Sequence, residues 1–177
     1  MGDALGQYQK HFGKLGMYLL AAFDCEINVD VSEVFELTSD LVRFGDWFPQ
    51  VVKIDEANDL SPGQVGKAYL EHVRIPLAGE KVVEIVVTES ERNQYFATEG
   101  NLSPLLPRME MRYSTVTGND CRLQWKMYSR SGSSLVRCAL LPLARRIMSA
   151  RALDAKDNLI NLLASGSERR RSSIAVE

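Results

Sequence analysis

From Arg108 to Ser129 apolar and polar residues trade places at almost every step, and this alternation constrains the chain more than any other feature. Met109, Met111, Tyr113 and Thr115 share one side against Glu110, Arg112 and Ser114. Beyond Gly118-Asn119-Asp120, Leu123, Trp125 and Met127 share one side against Gln124, Lys126 and Tyr128. A period of two sends successive side chains to opposite faces of a strand, and a turn-forming triplet between two such runs makes an antiparallel hairpin. One face of that hairpin is apolar and needs a cover.

The same reading extends upstream. Phe23, Cys25, Ile27 and Val29 alternate with Asp24, Glu26 and Asn28, giving a first strand within Met17 to Val29. Asp30 or Ser32 can cap a short helix that buries Val34, Phe35 and Leu37, and a second helical stretch around Leu41 to Trp47 ends before Pro49. Further strands are expected at Val51 to Asn58, Val65 to Arg74, Lys81 to Glu91 and Tyr95 to Gly100. Ser61-Pro62-Gly63, Pro76 to Gly79, Arg92-Asn93 and Pro104 to Pro107 separate the strands after Pro49, and such short connections favour an antiparallel meander.

The cover for the sheet is the segment from about Ser134 to Ala164, where Leu140, Leu143, Ile147, Leu153, Leu159, Ile160 and Leu163 suffice for a long buried helix that Pro142 should delay or kink. The expected fold class is therefore α+β: a seven-stranded curved antiparallel sheet around a C-terminal helix, with two short helices after the first strand. Residues 17–164 form this domain. Residues 1–16 are an extension in which Tyr8, Phe12 and Leu15 have helical spacing, and 165–177 read as a disordered polar tail.

Composition narrows the functional classes. A length of 177 residues, 45% hydrophobic and 25% charged, fits one globular core. A net charge of -2 argues against a nucleic-acid surface, and Arg169 to Arg171 sit in the polar tail. The apolar runs Met17 to Phe23 and Cys138 to Ala144 are too short to span a bilayer, so no integral membrane contact is expected. Cys25, Cys121 and Cys138 are scattered as reduced thiols would be in a cytoplasmic protein, which is expected to be a monomer or homodimer.

The order of three sequence pieces resembles the START, polyketide-cyclase and birch-pollen-allergen (SRPBCC) superfamily, closest in pattern to its bacterial polyketide cyclase/dehydrase-like members. They are Val31-Ser32-Glu33-Val34-Phe35 with Trp47-Phe48-Pro49; Pro62-Gly63-Gln64-Val65-Gly66; and Leu106 to Tyr113 leading through Gly118-Asn119-Asp120 to Trp125. The resemblance spans roughly Met17 to Leu163 and implies a helix-grip fold with a cavity between sheet and terminal helix. Across the family that cavity holds lipids, sterols, quinones, polyketides or plant hormones. It implies binding better than turnover, since the superfamily shares no single catalytic triad.

His11 and His72 are the only histidines, and no metal, P-loop, dinucleotide or serine-hydrolase motif is present, so no cofactor is expected. Candidates for acid–base chemistry are His72, Arg74, Glu84, Glu99 and Tyr113. Ala68, Leu70, His72 and Arg74 share one strand face, Tyr69, Glu71 and Val73 the other; both are mixed, and either can line the cavity. Candidate ligand contacts are Trp47, Phe48, Met109, Met111, Tyr113, Trp125, Met127, Leu143 and Ile147, a polarizable surface that serves equally as packed core. The leading expectation is binding of a lipid, isoprenoid, quinone or polyketide-like molecule. The alternatives are a cofactor-independent cyclase or dehydratase, and a protein-interaction or quinone-chaperone role.

Overall fold

The computed structural model describes residues 16–75, 79–116 and 120–174. The expected helix bearing Tyr8, Phe12 and Leu15 lies outside them. Strand β1 (Tyr18–Ile27) leads to helix α1 (Val31–Ser39) and a 3-10 helix (Leu41–Asp46). Six strands follow: β2 (Val51–Glu56), β3 (Ala68–Ile75), β4 (Gly79–Glu91), β5 (Tyr95–Gly100), β6 (Pro107–Thr115) and β7 (Cys121–Ser129). A π turn (Val136–Leu140) then opens helix α2 (Leu141–Ile174).

All seven strands form one antiparallel sheet in the order β1-β7-β6-β5-β4-β3-β2, so β1 and β2 are its two edges. Consecutive strands from β2 to β7 are neighbours, as short turns dictate, while the two small helices carry the chain from one edge to the other. Asp30 starts α1 by accepting a hydrogen bond from the Ser32 N–H at 2.8 Å, and Asp40 does the same for the 3-10 helix through Val42. Register shifts at Leu19/Ala21, Val51/Lys53 and Val87/Glu89 add local bend to an already twisted sheet.

The inward face of α2 differs from the expected one. Leu141, Ala152, Ala155, Leu159 and Leu163 are buried, whereas Leu143 and Leu153 point outward, 57% and 63% exposed. The buried set follows helical spacing, and it is anchored where small alanines let the helix lie close along β1. Pro142, without an N–H and crowding the carbonyl four residues earlier, falls just after the π turn, where the ladder is already widened. The helix also runs on to Ile174 instead of giving way at Ser165. Glu and Arg are good helix formers, and polar composition alone does not separate a polar helix from coil.

The outer face of the sheet has its own centre. The Arg108 guanidinium bonds to Glu110 at 2.8 Å, Glu99 at 2.9 Å and Tyr95 at 3.3 Å, and pairs with Glu89. Burial works against its charge, but these acceptors hold its pKa above the usual arginine range.

Candidate functional site

Strand pairing identifies the concave face. Ala21, Phe23 and Cys25 of β1 stand beside Met127, Trp125 and Leu123 of β7, and these three pair in turn with Met109, Met111 and Tyr113 of β6. Phe96 and Thr98 of β5, Val83 and Ile85 of β4, and Tyr69 and Glu71 of β3 complete it. Against it pack Phe44, Trp47 and Phe48. Phe48 stacks on Phe44 with centroids 4.7 Å apart and lies 5.4 Å from Trp125, which itself stacks on Phe23 at 5.2 Å. The wall is not sealed throughout: Met127, Ile85, Val73 and Met148 keep accessible surface although they sit on or against the interior face.

Glu71 is the ionisable group set into this wall. It stands between Ile54 of β2 and Val83 of β4, two buried residues. Protein rings it, yet it retains some accessible surface. Burial pushes its carboxyl up to about 7, and the Arg151 charge opposes that rise only partly. Among the described residues no cation lies within 4.0 Å of it to form an ion pair.

Arg151 comes from α2. Its Nε and Nη2 donate to the Pro49 carbonyl at 3.1 and 2.5 Å, and its guanidinium lies 5.0 Å from the centre of the Phe48 ring. Burial lowers its pKa, with Glu71 acting the other way. Seven residues on, Asn158 donates to the Trp47 carbonyl at 3.2 Å, so one helix face clamps the 47–49 segment over the sheet. Ile147, half-buried, is one turn before Arg151 on that face.

Three buried donors lie in or against the same interior without a well-formed hydrogen bond: Trp47 Nε1, Trp125 Nε1 and the Tyr69 hydroxyl. Burial raises Tyr69 to about 12, and its hydroxyl lies near the Leu41 backbone. A polar atom within reach of such a donor would recover the interaction that burial removed.

Of the expected ligand contacts, Trp47, Phe48, Met109, Met111, Tyr113 and Trp125 are buried on the interior side and Met127 is half-buried there; Leu143 faces away. The acid–base candidates fare differently. His72 points to the outer face, with Nε2 3.5 Å from Asp55 and Nδ1 3.5 Å from Glu80. Arg74 shares that face and is exposed, as is Glu84 opposite Leu70. Glu99 is tied to Arg108 and, at 2.8 Å, to Arg130. The pairing of β3 decides this, because Tyr69 and Glu71 must face in for the buried Ile54 and Val83 to face in beside them. Tyr113 is inside, its hydroxyl 2.7 Å from Thr38 Oγ1 and its pKa raised by burial. Glu71 and Arg151 were not among the residues the sequence singled out. The signal that finds them is pairwise: apolar residues opposite Glu71 on both neighbouring strands.

Among the described residues no group of His, Cys, Asp or Glu is arranged to hold a metal ion, and no helix is long and apolar enough to cross a membrane. Cys25 and Cys121 are buried thiols, each pushed up to about 11 by burial, which keeps them protonated and unreactive.

A curved antiparallel sheet gripping a terminal helix, with two small helices bridging its edges and an apolar concave face, is the helix-grip fold of START-like ligand-binding domains. The sequence profile of the family described as polyketide cyclase / dehydrase and lipid transport matches residues 23–163, and the chain belongs to that family. No curated protein matches the sequence. Among solved structures, a START superfamily protein from Mycobacterium smegmatis is similar with a TM-score of 0.66 at 11% identity, covering 84% of this chain and 97% of that one. The ZhuI aromatase/cyclase from Streptomyces sp. R1128 is similar with a TM-score of 0.60 at 16% identity, covering 87% and 95%. The di-domain aromatase/cyclase StfQ of the steffimycin biosynthetic pathway gives 0.64 at 10% identity, covering 90% of this chain and 55% of that one. At these identities the likeness speaks for the fold.

Proposed function

We propose that this protein binds an apolar or amphipathic small molecule, of lipid, isoprenoid, quinone or polyketide type, between the concave sheet face and α2. Its polar end lies toward Glu71 and Arg151. The observation that carries the reading is Glu71 itself: a carboxyl ringed by protein, without an ion-pair partner, in an otherwise apolar wall that keeps accessible surface. A packed core would gain nothing from an ionisable group there, whereas a ligand hydroxyl or carbonyl reaching the Glu71–Arg151 region would satisfy both. The family's description, polyketide cyclase / dehydrase and lipid transport, supports a ligand of this kind.

Trp47 and Trp125 make the test direct, since both indoles border the proposed site. Titration with a fatty acid, a prenol and an aromatic polyketide should quench or shift tryptophan emission saturably for at least one of them. Arg151→Met should weaken that response. Linear, unsaturable changes with all three would argue against a site.

A second reading is supported by the Glu71 carboxyl near 7, a value suited to passing protons at neutral pH beside a fixed guanidinium. Under that reading Glu71 acts as general acid or base in a cofactor-independent cyclisation or dehydration. Recovery of a chemically altered compound after incubation with the wild type, and its loss in Glu71→Gln, would favour turnover over carriage.

A further inference from the structure

The segment that leads into α2, and the first turns of that helix, carry cations and no carboxylate. Between Arg130 and Leu153 there are five arginines and no Asp or Glu, in a chain whose net charge is -2. The loop from Asn101 to Pro107 that packs beside this segment carries no charged residue. The two are held together by Leu105 against Val136 and Leu141, by Ser129 Oγ donating to the Leu105 carbonyl at 2.6 Å, and by the Arg130 N–H donating to the Leu106 carbonyl at 3.1 Å.

Two of the five arginines are occupied inside the fold, Arg130 with Glu99 and Arg151 with Pro49. Arg137, Arg145 and Arg146 stay exposed. Arg137 is steadied by the Tyr18 ring, while Arg145 and Arg146 have no ion-pair partner among the described residues. Apolar side chains are exposed on the same segment: Leu135 is 77% exposed, and Leu143, Ala150 and Leu153 line the outward stripe of α2 together with Arg146, with Asp154 the first carboxylate to follow on it. Of the carboxylates that the topology brings to this end, Glu80 and Glu99 are engaged with His72 and with Arg108 and Arg130, while Glu84 is exposed on the outer face of the sheet, the side away from α2.

We propose that this end, formed by Leu135, Arg137, Leu143, Arg146 and Leu153, is a peripheral docking surface for anionic lipid bilayers. Leucines inserted at the headgroup level and arginines paired with lipid phosphates are the two attractions that hold an interfacial helix. The negative remainder of the chain is repelled by the same surface, which fixes the orientation. Docking stands independently of any cavity ligand. A route for such a ligand from the bilayer past Ile147 and Arg151 rests on the binding reading above.

The test is co-sedimentation of the full chain with vesicles of phosphatidylcholine alone and of phosphatidylcholine mixed with phosphatidylglycerol, at low and high salt. Binding should require the anionic lipid and weaken with salt. Reversing two cations (Arg137→Glu with Arg146→Glu) should lower partitioning at least roughly thirty-fold, from the contribution of each arginine near an anionic surface. Arg92→Glu, a reversal at the opposite end of the sheet, should leave it unchanged. Equal binding to both vesicle types, or an unaffected double variant that unfolds like the wild type, overturns the proposal. So does a dimer in sedimentation velocity that Leu143→Glu dissociates, because the face would then be covered by a second copy.

Discussion

Replacing Glu71 by Gln should stabilise the protein by an amount that depends on pH. The folded chain holds the Glu71 proton up to about 7, whereas an unperturbed glutamate releases it near 4.5. Between those values the folded state binds more protons than the unfolded state, so this group's contribution is most favourable below about 4.5 and declines as pH rises to about 7. At about 1.4 kcal/mol per tenfold change in proton affinity, the shift from 4.5 to about 7 amounts to roughly 3 kcal/mol lost at alkaline pH. Gln keeps the shape and removes the charge, so Glu71→Gln should gain roughly 3 kcal/mol near pH 8 and less than about 1 kcal/mol near pH 5. Urea unfolding of both proteins at the two pH values measures it, and other titrating groups cancel in the difference. An equal difference at both pH values would refute the account of a buried, unpaired carboxyl.

Other consequences are simpler to test. Arg108→Met should destabilise the fold by about 3–5 kcal/mol in thermal or urea unfolding, because Glu110 and its neighbours keep their charges and lose the cation they surround. Tyr113→Phe should cost about 1 kcal/mol, since Thr38 still donates to the Val34 carbonyl at 2.7 Å, and should leave the tryptophan response to ligand intact. His72→Ala, on the outer face between exposed acids, should change stability by no more than about 0.5 kcal/mol and leave ligand binding unaffected.

These contrasts mark what the sequence could and could not reveal. Strand order, the two small helices and the terminal helix were legible because period and turn chemistry are local. Met109, Met111 and Trp125 were legible as interior residues because β6 and β7 alternate cleanly. On β3 both faces mix apolar and polar residues, so the choice between His72 and Glu71 depended on pairing with Ile54 and Val83, which no single strand encodes. Leu143 was misplaced for a related reason: α2 carries apolar residues on two faces, and only contact with β1 distinguishes the covered from the exposed one. Arg151 carries no local signal, because the Pro49 carbonyl it binds is 102 residues away in the sequence and the Phe48 ring beside it is as remote.

Native mass spectrometry of the protein taken from its own cells, followed by denaturing extraction and identification of any released compound, tests the central claim most directly. The account predicts an apolar or amphipathic molecule at a stoichiometry near one per chain, retained by the wild type and diminished in Arg151→Met. Repeated recovery of a compact, ligand-free protein that also fails to take up any added lipid, prenol or polyketide would contradict it.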